Sequence, residues 1–276
     1  MEKVFSSLPD YENPPVAEVA LSVQFEPLRR FRTPYIGLLW EKYQKRELKF
    51  IEEQPSIPQV FELFGEEKLI PRRVEISSLP PVSRCLFLNE NRTELVQVQN
   101  DHFVHNWRKG EKTDTEYPRY SYIRSAFLED LGIFQEFLMD HKIGELHINQ
   151  CEIVYVNPIP INKESIGFDE LQNIITIFRA DYSDSFLPEI EGINISLSYI
   201  IRYFNEKPLG RLHISAQSKT LNNEKFIMLN LIARGRPLDN SIDGVLRFLD
   251  LGREHIVRGF TSITTPNMHK TWGRKE

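Results

Sequence analysis

Two stretches of this chain, 119–142 and 239–260, carry apolar residues at steps of three and four, and each closes a run of segments in which apolar and polar residues alternate. This order restricts the accessible folds most, because a 3.6-residue period buries one stripe of a helix and a two-residue period buries one face of a strand. In the first long stretch the stripe is Tyr120, Ile123, Phe127, Leu131, Phe134 and Leu138, with Arg124, Glu129, Glu136 and Asp140 mostly off it. In the second it is Ile242, Val245, Leu246, Leu249, Ile256 and Phe260, and Arg253 falls in its middle. Burying a charge alone costs several kcal/mol, so Arg253 is expected to be paired or to snorkel.

The segments before the two helices follow the same plan. Val19, Leu21, Val23 and Phe25 alternate with Glu18, Ala20, Ser22 and Gln24, which predicts a strand with one apolar and one wet face. A helix follows, with Thr33 as its cap and Pro34 at its first position. The proline-broken stretch 50–82 reads as irregular connection with one edge strand. Segments 84–88 and 94–99 form a hairpin, with His102 to Trp107 extending or bulging its second strand. The first long helix ends at Lys142-Ile143-Gly144, and the order restarts: a strand at 150–156 closed by Asn157-Pro158, a helix at 168–178, and strands at 193–204, 209–217 and 225–234. The first strands rhyme weakly, Glu18-Val-Ala-Leu-Ser-Val beside Glu152-Ile-Val-Tyr-Val-Asn. The expectation is an α+β fold: antiparallel sheets with long amphipathic helices on one face. The pattern is compatible with two pseudo-repeated halves, 1–143 and 144–276, in one compact unit with a cleft or saddle between them.

With 276 residues, 41% of them hydrophobic, the chain can bury a core that needs no disulfide or metal. A formal charge of -5 with both signs scattered supplies no general attraction for nucleic acid or anionic lipid. The opening residues lack an apolar signal core, and no run approaches the roughly 18 apolar residues of a membrane helix, so a cytoplasmic protein is expected. Cys85 and Cys151 then read as free, buried thiols.

Local catalytic signatures are missing. None of the 13 glycines belongs to a phosphate-cradling loop, there is no G-x-S-x-G elbow, and neither cysteine neighbours a histidine in a nucleophile motif. His102 and His105 on a strand point to opposite faces, and Glu145 with His147 are too few to hold a metal. Asp181, Asp184, Glu189 and Glu191 read as turn caps and solvated rims. No cofactor or metal is expected. Arginines are more informative: Arg29, Arg30 and Arg32 follow the first strand, Arg72 and Arg73 follow Pro71, and Arg234 and Arg236 close the last strand, so strand ends could gather some of these forked guanidinium groups around an anion. At the C-terminus, Thr264-Thr265-Pro266 predicts a fresh cap and one last helical turn over Asn267 to Trp272. His269, Trp272 and Arg274 either line a site there or leave Trp272 as an apolar peg that fixes the tail.

The segment Pro14-Pro15-Val16-Ala17-Glu18-Val19-Ala20-Leu21-Ser22-Val23-Gln24-Phe25-Glu26-Pro27, with Phe260 to Pro266 and Met268-His-Lys-Thr-Trp-Gly-Arg274, resembles a sporadically distributed prokaryotic family of conserved hypothetical proteins of similar length. Tyr155-Val156-Asn157 matches a Tyr-Ile-Asn-like triplet of that family. No activity is assigned to the family, and its patchy distribution implies an accessory context such as defence or toxin-antitoxin cargo. The functional expectation is a non-enzymatic protein-binding or adaptor protein, antitoxin-like or accessory, acting through its sheets or central cleft on a protein partner, such as a co-encoded one, or on further copies of itself. The alternative is a nucleotide- or nucleic-acid-acting enzyme or sensor using strand-end arginines; a third reading is an apolar-ligand cavity under the long helices. Binding candidates are Arg234, Arg236, Arg253, His269, Trp272 and Arg274. No membrane partner is expected.

Overall fold

The computed structural model describes residues 7–65, 83–110, 116–161, 168–177, 186, 191–203, 207–221 and 224–275. In chain order these form β1 (Asp10–Tyr11), β2 (Glu18–Phe25), α1 (Thr33–Gln44), β3 (Phe50–Gln54), β4 (Arg84–Leu88), β5 (Glu94–Gln99), β6 (His102–Arg108) and α2 (Arg119–Asp140). They continue with β7 (Ile148–Pro160), α3 (Phe168–Ile174), β8 (Asn194–Arg202), β9 (Pro208–Leu221), β10 (Glu224–Gly235), α4 (Ile242–Ile263), α5 (Pro266–Thr271) and β11 (Arg274–Lys275). Arg72, Arg73, Phe178, Asp181, Asp184 and Glu189, considered above from sequence, lie outside the described residues.

The fold is α+β. Nine strands form one antiparallel sheet in the order β3-β4-β5-β6-β2-β7-β10-β9-β8, and β1 pairs separately with β11. The alternation in β2 sets the layering: Val19, Leu21, Val23 and Phe25 are fully buried towards the helices. Across the register, Leu21 faces His105 of β6 and Ile153 of β7, so the same side of three adjacent strands carries the core. Helix α2 packs on β6 and β2, and α4 on β10, β7 and β9. Gly252 lets α4 approach closely, since a Cβ there would lie 2.8 Å from Ile153 Cγ2 and 3.0 Å from the Ala233 Cβ.

Four local expectations are corrected. The polar side of β2 is not wet: Ala20, Ser22 and Gln24 are 9%, 7% and 5% exposed. The extended segment 55–64 crosses that face, with the Gln24 amide bonding both the N–H and the carbonyl of Val60, and Gln99 doing the same for Ile57. His102 to Arg108 is a strand of its own, turned back on β5 at Asn100-Asp101 and paired from Gln99↔His102 to Glu94↔Trp107. Strand β7 is not closed by Asn157-Pro158 but runs to Pro160. Val156 accepts from Ala17 on the β2 side while Ile161 donates to Lys225 on the β10 side, so Pro158 and Pro160 point their missing N–H to where β2 has already ended. At α1 the cap position belongs to Arg32, not Thr33, and carries no side-chain bond, Pro34 following in the first turn.

The fresh cap expected at Thr264-Thr265-Pro266 is Thr265, which caps α5, while α4 starts later than the expected 239 and is capped by Ser241; the two hydroxyls accept from Met268 and Gly244. Lys142, at φ 53°, takes the left-handed turn after α2 that glycine more often occupies. Both cysteines are free and buried. No helix among the described residues is long and apolar enough to cross a membrane.

Candidate functional site

A cavity lies beside the start of α2 and along α4, over β7 and β10, with about 590 Å³ of space between its atoms when the open mouth is counted. Four parts of the chain build it. The floor is Tyr155 and Asn157 of β7 with Leu231 of β10, all on the helix side of the sheet. One wall is the approach to α2, Tyr117, Arg119 and Tyr120; the opposite wall is Arg253, Ile256, Val257 and Phe260 of α4. The N-terminal segment supplies Pro9, Asp10, Tyr11, Pro14 and Val16 along the rim.

That N-terminal segment is clasped in place. Asp10 and Tyr11 pair with Lys275 and Arg274. Arg119 Nη1 donates to Asp10 (3.1 Å) and to the Tyr11 carbonyl (2.9 Å), and Nη2 donates to the Glu12 carbonyl (3.2 Å). Arg119 does so from φ 70°, a left-handed conformation costing a non-glycine residue about 1–2 kcal/mol, which these bonds offset.

Inside the cavity the charges are unevenly satisfied. Asp250, three residues before Arg253, is held by Arg124 at 2.8 and 3.0 Å and by the Tyr120 hydroxyl at 2.7 Å. Arg253 therefore has no acidic partner among the described residues. Its guanidinium carbon stacks 4.8 Å from the Tyr120 ring centre, and its Nε is buried with no hydrogen-bond partner. Of the two outcomes expected for it from sequence, pairing with an acid is not found among the described residues; the side chain is half-buried, with its Nε enclosed and its guanidinium stacked on the ring.

The phenols are donors at neutral pH. Burial raises the Tyr117, Tyr120 and Tyr155 hydroxyls above the ordinary tyrosine value, and the Arg253 charge pulls the other way on all three. The Tyr117 and Tyr155 hydroxyls lie 3.0 Å apart, so one phenolic proton serves that bond and the second is left for another acceptor. The hydrogen bond from Lys275 holds Asp10 below its usual range. The lining thus combines guanidinium groups, protonated phenols, one ionised carboxylate, the Asn157 amide and apolar surface.

The other candidates sort around this cleft. Trp272 is 6% exposed against Phe260 (ring centres 5.1 Å) and Tyr11 (6.2 Å), behind the cleft wall. His269 Nε2 meets the Thr264 hydroxyl at 2.9 Å, and its Nδ1 lies 3.4 Å from Arg274, whose side chain is exposed. Burial, then the Arg274 charge, lowers the His269 pKa.

Arg234 lies on the opposite face of the sheet. There Glu62, brought by segment 55–64 and 4% exposed, receives Arg211 Nη1, meets His213 Nε2 at 2.7 Å and lies 3.6 Å from Arg234, which also binds Glu152. The strand-end arginine expected to be offered to an anion is already engaged by two carboxylates. Arg236 is exposed just beyond β10. Among the described residues no three His, Cys, Asp or Glu side chains are grouped to hold a metal ion.

Sequence reasoning placed Arg253 but missed its companions. Tyr120 was visible only as one more apolar position of a helical stripe, and Tyr117 and Arg119 precede or begin that stripe. Tyr155 and Asn157, the outer members of the triplet noted above, both line the cleft, because period-two alternation puts them on one face. Compared with models of known protein families, the chain matches none, and no curated protein is similar to it.

Proposed function

We propose that this is a binding protein and that its central cleft receives an anionic group of the bound partner. The observation that carries the reading is Arg253: a cation with a buried, unpartnered Nε, in a cavity whose remaining lining is mostly apolar or aromatic. An uncompensated charge in such surroundings is costly, and a bound anion supplies its missing counter-charge. Binding is favoured over proton transfer because general acid-base catalysis needs a group titrating near the working pH. The lining's phenols are raised, its aspartate is lowered and arginine stays charged.

The strand order supports an internal duplication. From the central pair, β2-β6-β5-β4-β3 runs one way and β7-β10-β9-β8 the other, with a 22-residue amphipathic helix over each half. The cleft lies where the two helical layers meet. On this reading the protein acts in the cytoplasm as an adaptor or antitoxin-like accessory component, and a co-encoded protein or a second copy reads out the occupied cleft. Purification from the native host followed by mass spectrometry tests it: recovery with a bound acid or a stoichiometric protein partner is expected, and an unliganded monomer that turns over a substrate sinks it.

A further inference from the structure

Resting on the reading of the cleft as an anion site, we infer that its ligand is a monocarboxylate with an apolar body, and not a phosphate. The charge of the lining sets the valence. Only Asp10, Arg119 and Arg253 are charged there, and Arg119 is bound to Asp10 and to two backbone carbonyls of the N-terminal segment. Lys275, just outside the lining, also binds Asp10, and Arg253 is the one cation of the lining without an acidic partner among the described residues.

A carboxylate carries one negative charge and offers two oxygens to a forked guanidinium. A phosphate monoester carries about -1.5 to -2 at neutral pH and would bring surplus negative charge beside Asp10. The usual phosphate devices are also missing from the lining, which has no glycine and no second free cation. The one phenolic proton left by the Tyr117–Tyr155 pair suits a carboxylate oxygen, since a protonated hydroxyl must donate somewhere and both rings are largely buried.

The body of the ligand is set by the remaining surface. Tyr11, Tyr120 and Phe260 present rings, and Leu231, Ile256 and Val257 present aliphatic groups, the mostly hydrophobic and aromatic kind of lining found in small-molecule sites. A short aryl or alkyl chain behind the carboxylate fills the cleft without further polar demands. A free acid and the C-terminal carboxylate of a peptide ending in an apolar residue share this chemistry.

Thermal-shift and calorimetric titration of the full chain test the inference with 3-phenylpropionate, octanoate, an N-acetyl tripeptide ending in Phe, the amide of each, and phenyl and octyl phosphate. At least one carboxylate is expected to bind saturably, at least about tenfold tighter than its amide and tighter than the matching phosphate where there is one. Arg253→Gln is expected to keep the wild-type circular dichroism and to lose the carboxylate-over-amide preference, and Arg253→Lys to retain part of it. Preference for the peptide over both free acids identifies a protein terminus as the source. Tighter binding of the phosphates overturns the inference and leaves the cleft an anion site. An Arg253→Gln variant that still prefers carboxylates overturns it as well. If no probe of either anion class binds, the inference and the reading beneath it both fall.

Discussion

At the residue scale, a buried carboxylate and a half-buried guanidinium are handled in opposite ways. Burial by itself would raise the Glu62 carboxyl, but the hydrogen bonds from His213 and Arg211 more than offset it and hold it below its ordinary value. A depressed carboxylate contributes stability that is present above its unfolded pKa and lost as pH falls through the folded one. Urea midpoints are therefore expected to change little through this group from neutral pH to about 5 and to fall below that, a fall that Glu62→Gln makes shallower. The substitution itself is expected to cost about 1–2 kcal/mol at pH 7, the lower part of the range for a broken buried bond because Arg211 and His213 are about a third exposed. Arg253 has no such compensation. Arg253→Met keeps the apolar stem, removes the unpartnered cation, and is expected to raise stability by about 1 kcal/mol while abolishing carboxylate binding, read by urea unfolding and titration. A variant more than about 1 kcal/mol less stable would mean that stacking on Tyr120 outweighs desolvation.

At the element scale, the helix-on-sheet packing depends on places where a side chain does not fit. Gly235 at the end of β10 faces Gly210 of β9, and a Cβ on it would lie 2.5 Å from the Leu209 carbonyl oxygen and 2.6 Å from a Phe248 ring carbon of α4. Gly235→Ala is expected to cost about 2–3 kcal/mol, measured by denaturant unfolding, because a backbone carbonyl cannot step aside. Gly252→Ala should cost less: it gains about 1 kcal/mol of helix propensity and meets side-chain carbons. The elements themselves were largely legible, since Thr265 caps α5 where the sequence places a cap and α4 overlaps most of the helical period at 239–260. The misses have local causes. The two-residue turn at Asn100-Asp101 is too short to break the apolar pattern from 94 to 107, so β5 and β6 read as one strand. Pro158 reads as a stop because the sequence does not say that β2 has ended beside it.

At the scale of the whole molecule, β2 and β7 join the halves through eight paired residues at the middle of the sheet. One continuous core includes Leu21 and Phe127 from the first half together with Ile153 and Phe248 from the second. Expressed alone, residues 1–143 would expose β2 as a long unpaired edge, and such edges aggregate. Insoluble halves and a single cooperative unfolding transition of the full chain are expected, with tryptophan fluorescence and circular dichroism coinciding. Soluble, folded halves would show that the central pair is an interface between domains.

The succession of alternating and helical periods determined the α+β class and most element positions, because a period of two or 3.6 is a property of neighbouring residues alone. The sequence likewise put Arg253 on the apolar stripe of its helix. Only the tertiary structure decided what surrounds it. Tyr117, Tyr155 and Arg253 come from segments far apart in the chain, and their meeting depends on β7 settling beside β2 and on α4 packing over β7. The same holds for Glu62, whose basic partners on β9 and β10 follow it by about 150 residues or more. Which surfaces meet across such separations is chosen by burial over the whole chain, and no local pattern records it.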